Sequence, residues 1–374
     1  MSPWVPTSGA TRTLPATRRC NVNFADTNAN PLYFASHLYL NDVEIKDVVI
    51  PDGVTNISSH AFYHFKGIHS VSIPGSVKTM GKEVFTDCTA LTAVTMGDGA
   101  AIGISAFARC NHLTSLTFEG GISRFANDAF AYCTALTTIT FHPGMTTIGG
   151  NAFAGCTALG SVTIPEGVTS IGGGAFSGCT SLIVADLPES VKSIGRDAFK
   201  QCSSLSSIKL PSNLETIDFG AFGLCESLTS VVIPNGVTTV GNGAFYGCLA
   251  LKIIGFPESV TSLGIQVIDY CPAMTDCYFH HTTPLNITGE TFHESTLQQL
   301  TLHVPSGCKM QYATAEYWKD FKEIVDDIPT TVSVPVLTRQ DAESYYDLRG
   351  NRVDKTRLPR KSIVIHHGKK YFVK

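Results

Sequence analysis

Charged residues make up only 16% of this 374-residue chain, well below the roughly quarter usual for soluble proteins. With a net charge of −4 there is no basic excess to neutralise a nucleic-acid backbone, so a polyanion is not the expected partner. No apolar run approaches the ~20 residues that a membrane-spanning helix requires. Between Met1 and Cys20, Arg12, Arg18 and Arg19 are not followed by an apolar stretch of the kind a secretory leader carries. Either the protein is not exported by that route, or the sequence begins inside a longer reading frame. There is no Cys-x-x-Cys pair among the 12 cysteines and no Gly-Lys-Ser/Thr ending to any glycine cluster, which argues against zinc and phosphate-loop chemistry.

What is present is repetition. Ala-Phe, two variables, Cys, two variables, Leu, two variables, Val, one variable, Ile-Pro and then Val-x-x-Ile-Gly recur with a period of 23 residues. The anchors are Phe62, Phe85, Phe107, Phe130, Phe153, Phe176, Phe199, Phe222 and Phe245, continued by Ile268 and Phe292. Only the step from Phe85 to Phe107, at 22, and that from Ile268 to Phe292, at 24, depart from the period. A fixed period of this size predicts a solenoid of stacked coils.

The coil beginning at Ala152 shows how each unit works. Phe153, Cys156 and Leu159 lie three apart, as in a short helical or 3₁₀ turn with one face inward. Val162 and Ile164 alternate with Ser161 and Thr163, the period-2 pattern of a half-buried strand. Pro165 ends the strand, Glu166-Gly167 turns the chain, and Val168 and Ile171 bring it back inward. Gly172 to Gly174 form the next corner. One coil has too little apolar surface to hold itself together, so neighbours must share burial and ladder hydrogen bonds. The expected product is about eleven coils over 48–305, with a continuous parallel β-sheet along one face.

This phrase resembles the BspA-like class of leucine-rich repeats. The resemblance covers about residues 48–303. It implies a leucine-rich-repeat solenoid, noncatalytic and typically on a microbial surface or secreted, acting in adhesion or protein binding. The implied partner is a protein or glycoprotein. An intracellular interaction scaffold is the alternative, consistent with the missing leader and unpaired thiols.

Nine cysteines sit three residues after the anchor: Cys88, Cys110, Cys133, Cys156, Cys179, Cys202, Cys225, Cys248 and Cys271. Stacking would place their side chains in parallel, with Cβ atoms ~4.8 Å apart rather than the ~3.8 Å of a bridge. Phe65 and Ser295 fill the same slot in the first and last coils, so buried free thiols are expected.

The histidines are the other candidates for chemistry. His60 and His64 flank Phe62 and would share a face if that turn were helical. His280 and His303 take equivalent places in adjacent coils on this reading, with His281 and His293 near by, but no carboxylate stands at a matching position. Exposed loop histidines are the plainer reading, and no catalytic residue, metal or cofactor is expected.

The outward positions of the strands form a Ser/Thr ladder early on (Ser70, Ser72, Thr95, Ser115, Thr117, Thr138, Thr140, Ser161, Thr163) and become varied from Val184 to Tyr278. A solvated β face explains the early part. The outward strand face as a whole is the candidate partner-binding surface, with Thr140, Thr163, Asp186, Lys209, Val232 and Tyr278 as its residues, its varied end doing the recognising and Tyr278 favoured by its chemistry.

Outside the coils, 1–47 is expected to be an N-terminal segment whose last part is a cap. Trp318, Phe321 and Val325 at helical spacing predict an amphipathic helix over 311–326, within a capping unit 306–328. Residues 329–344, with Pro329 and Pro335, read as a linker. The tail 345–374 carries nine Lys or Arg against Asp347 and Asp354, a balance of +7 that leaves −11 on the rest. A β-hairpin turning near His367-Gly368 is expected there. Tyr346-Asp347-Leu348-Arg349-Gly350 with Val353, then Gly368-Lys369-Lys370 and Val373-Lys374, resemble the sorting-like ending of many exported bacterial surface proteins. Ser362-Ile363 stands where such tails usually have Lys-Gly. The whole is expected to be a monomer.

Overall fold

The computed structural model describes residues 43–329 throughout. Outside them it describes the strand Tyr39–Leu40 and the backbone of four strands in the tail. The N-terminal segment before Tyr39 and nearly all of the expected linker lie outside the described residues.

Successive coils stack through their anchors. The nine phenylalanine rings from Phe62 to Phe245 form one unbroken column, with neighbouring centroids 5.0–5.6 Å apart and planes within 14° of parallel. All nine are fully buried. Each anchor N–H donates to a carbonyl of the following coil, as in Phe130 N to Ala152 O at 2.8 Å and Phe153 N to Ala175 O at 2.8 Å. The corner is therefore a hydrogen-bonded ladder as well as a ring stack.

The corner is not a helical turn. Two residues in nearly every coil have φ near +60°, among them His60 and His64, Asp128 and Tyr132, and Gly174 and Gly178. That corrects the expectation that His60 and His64 share a helical face. His60 is buried against Glu83, 3.6 Å away, and burial lowers the His64 pKa, with Lys66 adding to the effect.

The thiols complete the column. Each cysteine from Cys88 to Cys271 is buried and free, and its S–H donates to the anchor carbonyl of the preceding coil at 3.2–3.3 Å. Cysteine fits because the slot needs a small apolar group with one weak donor.

The strands run parallel in register, as the period predicts, but the main ladder is interrupted. Asp47–Val49, Ser70–Ile73, Ala93–Met96 and Ser115–Phe118 form one sheet. Ser161–Thr163 and Val184–Asp186 form a second, extended by a single bridge from Asp186 to Lys209. Ser230–Val232, Ile253–Phe256, Asp276–Phe279, Thr301–Pro305 and Glu323–Ile328 form a third. Residues 136–142 lie between the first two sheets and are not in strand. Their coil holds Phe141 where the next coil has Ile164. Phe141 packs with Phe118, Phe125 and Phe153 in one aromatic cluster, joined by Phe125 to Phe118 at 5.9 Å and to Phe141 at 5.6 Å. The main ladder breaks at this aromatic cluster.

A second ladder is the unexpected element. The Val-x-x-Ile phrase supplies a two-residue strand per coil. Seven of these, from Arg124–Phe125 to Ser262–Leu263, pair without a break. The glycine that follows is needed for close approach: a Cβ on Gly172 would stand 2.6 Å from backbone atoms of the preceding coil.

The C-terminal cap differs from a single helix over 311–326. A six-residue helix, Lys309–Thr314, leads into a 3₁₀ turn, Trp318–Asp320, and then the strand Glu323–Ile328, which pairs parallel with Thr301–Pro305. Trp318 and Phe321 are buried, as their spacing predicts, while Val325 is half-buried on the strand. Ile324, Val325 and Ile328 are β-branched and favour a strand, and the open edge of Thr301–Pro305 offers them ladder partners. The Trp318 ring lies 4.6 Å from Phe279, and its indole N–H donates to Leu285 O at 2.9 Å. In the tail, Ser362–His366 pairs antiparallel with Lys369–Val373, within a four-stranded sheet, and the expected turn near His367-Gly368 lies outside the described residues.

The irregular coil of 24 residues is held by a buried carboxylate. Asp269 accepts from the His293 N–H at 2.8 Å and from Thr296 Oγ1 at 3.3 Å. Burial raises its pKa despite those donors. A raised carboxylate pKa means the native state disfavours the charge, so the penalty is present above the folded pKa and disappears as pH falls through it. Asp269→Asn keeps an acceptor without the charge. It is expected to raise the melting temperature at pH 7 and to leave it unchanged at a pH where Asp269 is protonated. Asp269→Ala strips both donors and is expected to cost about 1–3 kcal/mol in urea unfolding.

Candidate interaction surface

The outward positions line up as columns across the strands. One column runs Thr163, Asp186, Lys209, and then, in the third sheet, Val232, Gly255, Tyr278, His303, Val325. The structure thus brings five of the six residues singled out from the sequence onto registered strands or their bridge. Thr140 is exposed but belongs to the coil that is not in strand.

The column changes character along its length. Thr163 lies 3.5 Å from Asp186, and Lys209 pairs with Glu189 at 3.2 Å, both at the surface. Exposed pairs of this kind contribute little to stability. Val232 is 65% exposed and Ile253, on the neighbouring strand, 44%. Tyr278 stacks flat on His303, with centroids 4.3 Å apart and planes 9° from parallel.

His303 is the residue that the sequence placed wrongly. Its registered neighbour is Tyr278, not His280, because the step between these two strands is 25 residues, two more than the period. Nor does it lack carboxylates: Asp276 Oδ1 lies 3.0 Å from Nε2 and Asp327 Oδ1 2.9 Å from Nδ1. A carboxylate only accepts, so both contacts are hydrogen bonds together only when the ring carries both protons. Asp327 reaches His303 because the ladder slips between His303 and Pro305. Burial, with the charges of Asp276 and Asp327, raises the Tyr278 pKa, so this ring is a neutral phenol across the physiological range.

The other histidines serve the fold. His281 is buried, stacks on Phe279 at 4.5 Å and meets Val260 O at 2.6 Å, and burial lowers its pKa. His293 caps the short helix Glu294–Leu297, its ring accepting from the Ser295 N–H. Among the described residues no group of three or more His, Cys, Asp or Glu is placed to hold a metal ion.

Sequence reasoning did not single out Gly255, and it gave His303 the wrong neighbour. Gly255 is the only outward glycine in this column, a break in a run of side chains that was visible beforehand. His303 required the true register.

Stacked parallel coils, an anchor column and a registered outer face define a leucine-rich-repeat solenoid. The model of the BspA type leucine rich repeat region matches residues 33–159, 123–242 and 192–313, which together span most of the chain, and the protein belongs to that family. No curated protein matches it. Among solved structures, a leucine-rich repeat protein from Bacteroides ovatus is 22% identical, with 78% of this chain and 82% of that one covered and a TM-score of 0.49. A leucine rich cell surface protein from Faecalibacterium prausnitzii is 24% identical over 63% of this chain and 88% of its own, with a TM-score of 0.30. A leucine rich repeat protein of T. pallidum is 29% identical over 42% and 75%, with a TM-score of 0.36. Solenoids of this family are interaction proteins and typically noncatalytic. No helix of the described residues is long and apolar enough to cross a membrane.

Proposed function

We propose that this protein is a noncatalytic adhesin-like solenoid, displayed on the cell surface or secreted, that binds a protein or glycoprotein through the outer face of its C-terminal strands. The observation that carries the reading is the solvent-facing apolar pair Val232 and Ile253, on adjacent strands beside the Tyr278 ring. Apolar side chains on the open face of a sheet gain nothing from the fold and mark a contact region. The basic tail, with its resemblance to sorting-like endings, is the attachment or export module in this reading.

Limited proteolysis of intact cells tests location. A protein displayed outside is degraded by added protease and leaves the cell-envelope or medium fraction. Recovery only from the cytosol, protected in intact cells, sinks the surface reading and favours an internal scaffold.

A further inference from the structure

The Tyr278 ring has two faces, and among the described residues an aromatic partner stacks on one of them. His303 stacks on the first. On the other side the registered neighbour is Gly255, followed by Val232 one strand further on. A Cβ placed on Gly255 would meet Tyr278 Cβ at 3.7 Å and Tyr278 O at 4.0 Å, ordinary contacts that leave room for a side chain there. Two strand spacings put Val232 and Tyr278 about 10 Å apart. A planar group in van der Waals contact with both sides takes up about 7–8 Å. The missing side chain leaves a slot one planar group thick, walled by Tyr278 and Val232 and edged by Ile253.

The charge around the slot selects what enters. The five strands of this sheet contain Asp276, Glu323, Asp326 and Asp327 and no Lys or Arg, while the exposed Lys252 and Lys322 stand just before two of them. Asp276 lies two residues from Tyr278 on the same side of its strand. Lys209, one coil before Val232, is already paired with Glu189. From this we infer that the slot takes the guanidinium of an arginine presented by the protein partner, stacked on the open face of Tyr278 with its apolar stem along Val232 and Ile253. Guanidinium is planar and weakly hydrated, and it stacks on aromatic faces. Its methylene stem suits the apolar wall. A lysine ammonium is compact and strongly hydrated and gains less from a flat slot.

The inference deepens the proposed function and rests on its choice of face. It is tested on the full chain with tyrosine rings labelled with ¹³C, the Tyr278 signal being assigned by its loss in Tyr278→Phe. N-acetyl-arginine methylamide is the probe, with the lysine analogue and a methyl glucoside as comparisons. The arginine derivative is expected to move the Tyr278 signal saturably, and the lysine analogue to bind about tenfold more weakly. Gly255→Leu, whose Cβ meets only ordinary contacts, is expected to abolish the shift while leaving the melting temperature unchanged. Asp276→Asn is expected to weaken it. A shift that persists in Gly255→Leu, no shift at the solubility limit, or a preference for the methyl glucoside overturns the arginine slot. In each case the cell-surface proteolysis result stands by itself, so failure here is distinguishable from failure of the surface reading.

Discussion

Phe153→Ala is expected to lower stability by about 3–5 kcal/mol, the largest effect of any single substitution considered for this chain. The ring sits in the middle of the anchor column, 5.6 Å from Phe130 on one side and 5.6 Å from Phe176 on the other. It also meets Phe125 and Phe141 edge-on, at 5.1 and 5.8 Å. Alanine leaves a cavity that neither neighbour can fill, because each ring is locked between coils whose backbones are hydrogen-bonded corner to corner. In a stack held by nearest-neighbour contacts the loss falls on two interfaces at once, and the coils on either side are expected to uncouple. Urea denaturation followed by far-UV circular dichroism reads the cost, and hydrogen exchange shows whether protection falls in coils adjoining Phe153. Thr163→Ala, on the outer face of the same coil, is expected to stay within about 0.5 kcal/mol. A cost below 1 kcal/mol for Phe153→Ala would show that the column is not what holds the coils together.

The second large effect concerns the thiols. With the native protein at pH 8, iodoacetamide is expected to modify none of the eleven cysteines of the described residues, and in denaturant all eleven. Alkylation needs a thiolate and access, and both are denied here. Burial pushes the Cys156, Cys225 and Cys277 thiols up to about 12, and Cys88 and Cys110 shift in the same direction. Each ladder S–H is also occupied as a donor to the carbonyl one coil back. Mass spectrometry of the digested protein places any label. Fast native alkylation of Cys133 or Cys179, or a disulfide between successive ladder positions, would mean the column opens in solution.

The outcome at the two ends shows where sequence reasoning stops. The anchors, the thiol slot and the parallel register were legible because each coil repeats one local pattern and its neighbour confirms it. The cap was harder. Trp318 and Phe321 declare themselves as buried at helical spacing, yet Ile324 and Ile328 join a strand because an open sheet edge lies beside them. Local spacing cannot see that edge. The same limit applied to His303. Counting residues made His280 its neighbour, while the longer coil around Asp269 put Tyr278 there and brought Asp276 and Asp327 to either side.

By itself, the sequence determined that the chain is a stack of coils, since a lone 23-residue unit cannot bury its Phe, Cys and Leu and every unit carries the same need. It also determined which residues face out along the strands, because alternation leaves no choice once the buried set is known. Only the tertiary structure decided where the ladder breaks, that the chain turns nearly every corner through φ near +60°, and that Tyr278 stacks on His303 on one side and has Gly255 as its registered neighbour on the other. Those depend on how aromatic bulk and one uneven coil are absorbed by neighbours, and that is a property of the packed stack rather than of any single repeat.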